Sequence, residues 1–235
     1  MSMITRILVL DGSAAGESAF GLAACVEHTG ERYSVVACEK EAGKQAAEGI
    51  GLLAAKALDA AGWGPLALRK PQLVAVVVGP GSFTGLRASC ATAAGYALGL
   101  GVPVIGVTRG EALLPELELA VALHTGVKPV QGWMLVTGAR KGRVFVETKQ
   151  GVQAIALAEW QPPTGQAWLV AGDAAASLPL PEAQISGITT PTPEQIAVAA
   201  CARLSGNLPA REALPLYVDP PEAKRPAAGL RAAPV

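Results

Sequence analysis

The sequence has few aromatic and few charged side chains. Of its 235 residues, 4% are aromatic and 16% are charged, and 19 basic residues balance 19 acidic ones. A chain without net charge has no long-range field that would attract nucleic acid or an anionic membrane surface. With 51% hydrophobic residues, the composition predicts a globular protein and excludes a disordered or fibrous chain.

Residues that build catalytic and metal centres are also scarce. The two histidines, His28 and His124, lack neighbouring ligands at metal-binding spacing, which excludes an HExxH site. The sequence has no GxSxG segment and no Walker loop. Four cysteines without CxxC spacing are predicted to be reduced thiols of a cytoplasmic protein: Cys25, Cys38, Cys90 and Cys201. We therefore find no conventional catalytic constellation and predict no metal site.

Long uninterrupted hydrophobic runs are missing as well. The run from Ile7 to Leu10 is too short for the apolar region of a signal peptide. Segment 88–108 has no charges, but glycines and a proline interrupt it. It predicts a helix followed by a short strand, and no membrane association.

Hydrophobic periodicity predicts an α/β protein with two units and a flexible tail. The predicted strands span residues 4–11, 18–27, 33–39, 73–78, 102–107, 133–137, 143–148 and 167–171. The predicted helices span residues 43–61, 83–100, 111–123 and 193–204. We expect a first domain over 1–107, a smaller second domain over 108–218 and the tail over 219–235.

The most specific segment joins a predicted buried strand to a long helix. It reads Gly79-Pro80-Gly81-Ser82-Phe83-Thr84-Gly85-Leu86-Arg87. Its glycines permit a tight turn, and Ser82 or Thr84 can cap the free amides of the helix. Such a helix start is either a structural turn or an anion site, because its amides and dipole point outward. The segment Asp11-Gly12-Ser13 is a second candidate, either as an ordinary turn or as a ligand set for a metal-bound phosphate.

The helix predicted over 83–100 has almost no charged face. It must be covered on more than one side, either by the helix over 43–61 or by a partner subunit. Small and apolar residues of both helices are the predicted partner interface: Ala46, Ala47, Ile50, Ala54, Ala57, Ser89, Thr92 and Tyr96.

With these motifs the sequence resembles the TsaB (YeaZ) family. The segment from Gly79 to Arg87 matches the family signature Gly-Pro-Gly-Ser-Phe-Thr-Gly-Leu/Val-Arg without a change, and Ile7 to Ser13 is close to the Asp-Thr-Ser opening. Weaker matches are Val104-Ile105-Gly106-Val107-Thr108, Ala139-Arg140-Lys141-Gly142-Arg143-Val144-Phe145 and Pro215-Leu216-Tyr217-Val218.

The resemblance implies the actin-like, sugar-kinase-like ATPase superfold (ASKHA, ribonuclease H-like) with two α/β subdomains. It also implies a non-catalytic scaffold subunit that pairs with TsaD and joins the TsaE ATPase. That assembly transfers threonylcarbamoyl to the adenosine beside the anticodon of tRNAs that read codons beginning with A. Catalysis, ATP and metal are then expected on the partners, docking is expected through the first two helices, and no cofactor is expected in this chain.

Two departures from the family pattern leave alternatives open. Gly12 replaces Thr, and Gly138 stands where the family usually has Asp, so the phosphate and metal roles of both loops are in question. The competing class is a nucleotide-hydrolysing or phosphotransferring enzyme that uses Asp11, and weak nucleotide binding by this chain stays open. A glycoprotease-like peptidase is a third alternative, and the histidine count argues against a metal-dependent version of it. A homodimer without the partner, and tRNA contact through Arg140, Lys141 and Arg143, also stay open.

Overall fold

The computed structural model describes residues 4–15, 19–43, 49–126, 129–139, 142–161, 167–180 and 185–218. The strands in these ranges are β1 (Arg6–Asp11), β2 (Phe20–Thr29), β3 (Arg32–Ala42), β4 (Leu73–Gly79), β5 (Val104–Thr108), β6 (Val130–Gly138), β7 (Arg143–Thr148), β8 (Gly151–Ala156) and β9 (Ala167–Ala171). The helices in these ranges are α1 (Ile50–Ala60), α2 (Phe83–Leu100), α3 (Arg109–Ala122) and α4 (Pro193–Leu204).

The first sheet, sheet A, has the strand order β3-β2-β1-β4-β5. β1, β2 and β3 form an antiparallel meander, and β4 and β5 run parallel to β1. Every residue of β4 is buried, because the strand has helices on both faces. Parallel strands align their carboxyl ends, so Asp11 and Gly79 end their strands at the same edge of the sheet.

Alternate residues of β1 belong to two different cores. Leu8 and Leu10 pack with α1 and α2, whereas Ile7 and Val9 pack with α4 on the opposite face. Sheet A is therefore the middle layer of a three-layer unit.

The second sheet, sheet B, has the order β8-β7-β6-β9. One face packs on α3, where Leu113 and Leu117 contact the cluster around Trp133 and Leu135. The other face carries Met134, Val144 and other apolar side chains of a separate core. α3 follows β5 directly, so it is the covalent link between the two sheets.

The structure confirms the predicted strands and helices in the described ranges, with shifted ends. α4 has the predicted bounds, and α3 begins two residues earlier than predicted, at Arg109. β8 was not predicted. Residues 44–48 of the helix predicted over 43–61 and the tail over 219–235 lie outside the described residues.

The predicted division at residue 107 differs from the packing. α4 belongs to the predicted second domain, yet Ile196 and Ala200 lie in the core of sheet A. Leu216 also returns to sheet A, where its N–H donates to the Val78 carbonyl oxygen at 2.8 Å. Alanines along α4 permit this close packing. No helix in the described ranges is long and apolar enough to cross a membrane.

Candidate functional site

The motif loop, Gly79 to Ser82, turns the chain from β4 into α2. Ser82 is the N-cap residue, and its Oγ accepts a hydrogen bond from the Gly85 N–H at 3.3 Å. The Ser82 N–H donates to the Ser13 carbonyl oxygen at 2.8 Å. Two amides that would hold an anion at this helix start thus already have partners in the chain. This geometry favours the structural interpretation of the motif.

The loop that follows β1 lies directly against the motif loop. A Cβ atom at Gly81 would come within 1.9 Å of the Ser13 carbonyl oxygen, and one at Gly12 would come within 2.7 Å of the Gly85 carbonyl oxygen. No side chain fits at either contact, because heavy atoms do not approach so closely. Gly12, which stands where the family has Thr, therefore permits the close contact between the two loops.

Asp11 and Ser13 lie in the same contact. Asp11 is 2% exposed, and its Oδ1 accepts a hydrogen bond from the Ser13 N–H at 2.8 Å. This bond closes a local turn of the kind that Asp forms with its own backbone. The Ser13 hydroxyl is buried and has no hydrogen-bond partner in the described structure. Across the described ranges, no group of three His, Cys, Asp or Glu side chains could hold a metal ion.

The C-terminal strap, residues 211–217, closes the outer side of the motif loop. The Leu216 side chain approaches Gly79, and the Tyr217 ring lies 5.3 Å from the Phe83 ring, between centroids. Phe83 in turn lies beneath the exposed Arg87 guanidinium. Thr84 is exposed beside them, and Pro80 is buried. The end of the chain that the structure describes thus packs on the motif loop and on the start of α2.

The second loop singled out in the sequence ends β6 at Gly138. The Gly138 N–H donates to Asp173 Oδ1 at 3.1 Å, and Asp173 Oδ2 lies 2.9 Å from Arg109 Nη1. A carboxylate is therefore present beside residue 138, although the sequence places Gly there. Asp173 was missed by the sequence analysis. Its position two residues after a buried strand was the available signal.

Four residues of the predicted partner interface are buried within this chain. Ile50, Ala54 and Ala57 belong to the core between α1 and sheet A, and each is at most 1% exposed. Ser89 is fully buried, and its hydroxyl donates to the Gly85 carbonyl oxygen at 2.9 Å. Small side chains on these helices permit close packing on their own sheet. Ala46 and Ala47 lie outside the described residues.

The remaining two predicted residues, Thr92 and Tyr96, line a groove of about 590 Å³ between α1 and α2. Trp63 forms another part of the wall, and Asp59 and Lys70 contribute opposite charges. Burial, followed by the Asp59 charge, raises the pKa of the Tyr96 hydroxyl. Tyr96 is therefore neutral at physiological pH and presents an apolar ring with a hydrogen-bonding end.

Exposed leucines lie on the two helices and on the 65–70 segment that contribute to the lining of this groove, and we call this set of leucines the docking face. Leu98 of α2 is 86% exposed, Leu52 of α1 is 62% exposed, and Leu66 and Leu68 are fully exposed. The exposed residues of α2 near Leu98 are small: Ala91, Ala94, Gly95 and Gly99. Large leucines in such positions are typical of a surface that another molecule covers.

Cys25, Cys90 and His28 are held in contacts within the chain. Burial raises the pKa of the Cys25 thiol to about 12 and that of the Cys90 thiol to about 11, so both stay protonated. The His28 ring stacks on Tyr33, with centroids 4.1 Å apart, and its Nδ1 lies 3.1 Å from the Ile4 carbonyl oxygen. These contacts favour structural roles.

Two solved structures share this architecture. A Pseudomonas aeruginosa protein described as similar to peptidase YeaZ is 22% identical, with 92% of this chain and all of that chain covered and a TM-score of 0.63. YeaZ from Pseudomonas aeruginosa is 20% identical, with 91% and 100% covered and a TM-score of 0.61. The two sheets, their helices and the joined loops thus define an α/β protein of the actin-like ATPase superfold, as the resemblance implied.

The sequence itself gives the family. The family model described as TsaD, tRNA N6-adenosine threonylcarbamoyltransferase, matches residues 38–183, more than half of the chain. The chain therefore belongs to this tRNA-modification family, and within it is a relative of the TsaB (YeaZ) proteins.

Curated relatives match a shorter segment. A Mycobacterium leprae protein is 39% identical over 80 residues, which are 34% of this chain and 19% of that protein. A Mycobacterium tuberculosis protein is 41% identical over 81 residues, which are 34% of this chain and 33% of that protein. The match spans a third or less of the length of these relatives.

Proposed function

We propose that this chain is a non-catalytic subunit that activates a TsaD-like transferase by binding it through the docking face. The observation that carries the proposal is the uncovered apolar surface of α2, on which Leu98 is 86% exposed. A leucine surrounded by small residues allows a partner helix to approach closely. The family's reaction, threonylcarbamoyl transfer to the adenosine beside the anticodon, would then occur on the partner.

The internal contacts of the motif loop support a non-catalytic role. The Ser82 N–H donates to the Ser13 carbonyl oxygen, and the Ser13 N–H donates to Asp11 Oδ1. Asp173, the second carboxylate, is held by Arg109 and by the Gly138 amide. Asp11 Oδ1 and both carboxylate oxygens of Asp173 thus take part in contacts within the chain, which favours a structural role for the two carboxylates.

The partners in this proposal are a TsaD-like transferase and a TsaE-like ATPase. ATP and metal would be bound by those subunits, and tRNA would be contacted through the complex. A second copy of this chain would use the same docking face when no transferase is present, because exposed leucines favour burial.

The test compares Leu98→Glu with Leu119→Glu in binding to a TsaD-like transferase. Leu119 is a matched control, since it is 57% exposed on α3, away from the docking face. We expect Leu98→Glu to weaken binding about 100-fold, the effect of placing a charge at an interface hot spot. Leu119→Glu should bind like the wild type. Threonylcarbamoyladenosine formation in tRNA should follow the same order.

The proposal fails if both variants bind equally well, or if the transferase is equally active without this chain. It also fails if the isolated chain hydrolyses ATP and Asp11→Ala abolishes the turnover. That last result would favour the enzyme interpretation, for which the carboxylates of Asp11 and Asp173 are the structural support. Light scattering of the isolated chain at several concentrations measures the homodimer separately.

A further inference from the structure

A buried carboxyl group connects sheet B to the end of sheet A. Glu147 lies on β7, opposite Leu135 of β6, and is 5% exposed. Its Oε1 accepts a hydrogen bond from the Thr108 hydroxyl, and its Oε2 accepts one from the Gly110 N–H at 2.9 Å. Thr108 is the last residue of β5, so one side chain bridges the two sheets.

The segment that Glu147 holds is the junction from β5 into α3. Thr108 caps α3, and its hydroxyl also accepts the Glu111 N–H at 3.1 Å. A Cβ atom at Gly110 would lie 2.5 Å from the Glu147 carboxyl carbon, so only glycine leaves room for this contact. The Gly110 amide belongs to the first turn of α3, where amides have no acceptor within the helix.

The surrounding charges do not neutralise Glu147 directly. From α3, the Arg109 guanidinium hydrogen-bonds to Asp173 and to the Thr189 carbonyl oxygen, and the Glu111 carboxylate is on the same side. From α4 and the strap, Arg203 and Arg211 both pair with Glu111. The facing neighbours on β6 and β8, Leu135 and Val152, are apolar.

We propose that Glu147 is a proton-controlled clamp between the two sheets, closed when its carboxyl group is neutral and loosened when it is ionised. The neutral group keeps its hydrogen bonds to Thr108 and Gly110 at little cost in hydration. The ionised group must recover water, which can reach it only if the start of α3 moves away from β7.

The charge balance supports this direction. Burial raises the pKa of Glu147 to about 7, and the Glu111 charge adds to the increase. The hydrogen bonds from Thr108 and Gly110 and the Arg109 charge act in the opposite direction but are weaker in sum. The clamp therefore changes its charge within the neutral pH range.

The Gly110 amide reports the clamp directly, because its acceptor is Glu147. We would measure its hydrogen exchange by NMR in the full chain, corrected for the intrinsic rate at each pH. Between pH 5.5 and 7.5 the opening constant should rise about 20-fold and then level off. Linkage predicts this rise for a carboxyl group whose pKa is about 7 in the closed state and 4.5 in the open state. In Glu147→Gln, the neutral isostere, it should not change with pH.

Two further measurements separate the clamp from other effects. The opening constant of the Ala93 amide, in the fully buried part of α2, should stay well below that of the Gly110 amide at every pH in the wild type. Glu118→Gln replaces an exposed α3 carboxylate that pairs with Lys149, and it should keep the wild-type profile. A wild-type profile in Glu147→Gln overturns the proposal, as does equal opening at Ala93, which would indicate global unfolding. No partner or tRNA enters these experiments, so their outcome is independent of the proposed docking.

Discussion

Gly81 is the residue at which the close contact of the β1 and β4 loops requires glycine. An alanine Cβ there would lie 1.9 Å from the Ser13 carbonyl oxygen, so the loops would have to separate. We expect Gly81→Ala to lower the free energy of unfolding by about 3 kcal/mol. Gly95 is the matched control, because its Cβ would meet open space on α2. Gly95→Ala should raise stability by roughly 0.5–1 kcal/mol.

Urea unfolding monitored by circular dichroism gives both values. Equal effects of the two alanines would contradict the structural interpretation of the motif, since the sequence pattern alone treats both glycines as flexible positions.

At the same scale, some functional candidates follow from the sequence and others do not. The Ser82 cap was predictable, because a hydroxyl residue before an apolar helix has a local meaning. Asp173 and Glu147 were not, because their partners Gly138 and Thr108 are 35 and 39 residues away along the chain. Only the folded sheets bring those atoms together.

At the scale of elements, periodicity predicted the helices but not which of their faces would be free. Small residues on α1 and α2 indicate close packing, but they do not specify whether a sheet or a partner supplies the other surface. Ile50 and Ala57 pack on the chain's own sheet, whereas Leu98 remains exposed. The edge strand β8 was missed because none of its residues is buried and it follows β7 through a tight turn.

α4 is tied to the rest of the molecule by one buried cation. Arg203 donates to the Gly106 carbonyl oxygen, to the Pro209 carbonyl oxygen at 2.6 Å, and to Glu111 Oε1 at 2.6 Å. Arg203→Met would leave the two carbonyl oxygens without this donor and would leave Arg211 as the remaining basic partner of Glu111, so we expect a loss of about 3–5 kcal/mol in urea unfolding. Arg69→Met is the control. Arg69 pairs with Glu27 but is 63% exposed, and its loss should be below about 1 kcal/mol.

A similar loss in both variants would indicate that the ion pair to Glu111 contributes no more than a surface pair. Arg203→Lys would then be expected to behave like the wild type, whereas the buried fork geometry predicts that it does not.

At the scale of the whole molecule, two segments that follow sheet B along the chain pack on sheet A. The chain passes through α3 into sheet B, and then α4 and the strap pack again on sheet A. The predicted domain boundary at residue 107 could not anticipate this return, because hydrophobic periodicity identifies α4 without indicating which sheet it covers. The two sheets are consequently coupled through the contacts of Thr108, Arg109 and Glu111.

The pH dependence of global stability follows from two carboxyl groups at this junction. The raised pKa of Glu147 gives a contribution that is present below pH 4.5 and is lost as the pH rises through about 7. Burial alone would raise the pKa of Glu111, but hydrogen bonds from Arg203, the Thr108 N–H and Arg211, with the Arg203 charge, lower it. That contribution is lost as the pH falls below the ordinary value of 4.5.

The wild type should therefore be most stable near pH 5 and should lose about 2.5 kcal/mol between there and pH 8, since one pKa unit corresponds to about 1.4 kcal/mol. Glu147→Gln should remove most of this loss of stability above pH 5, the alkaline limb of the profile. It should leave the loss below pH 5, the acid limb, unchanged, because the acid limb comes from Glu111. Urea titrations from pH 3 to 8 on both proteins measure the two limbs. Parallel alkaline limbs would assign the loss to other groups, and a missing acid limb in the variant would mean that Glu147 and Glu111 do not act separately.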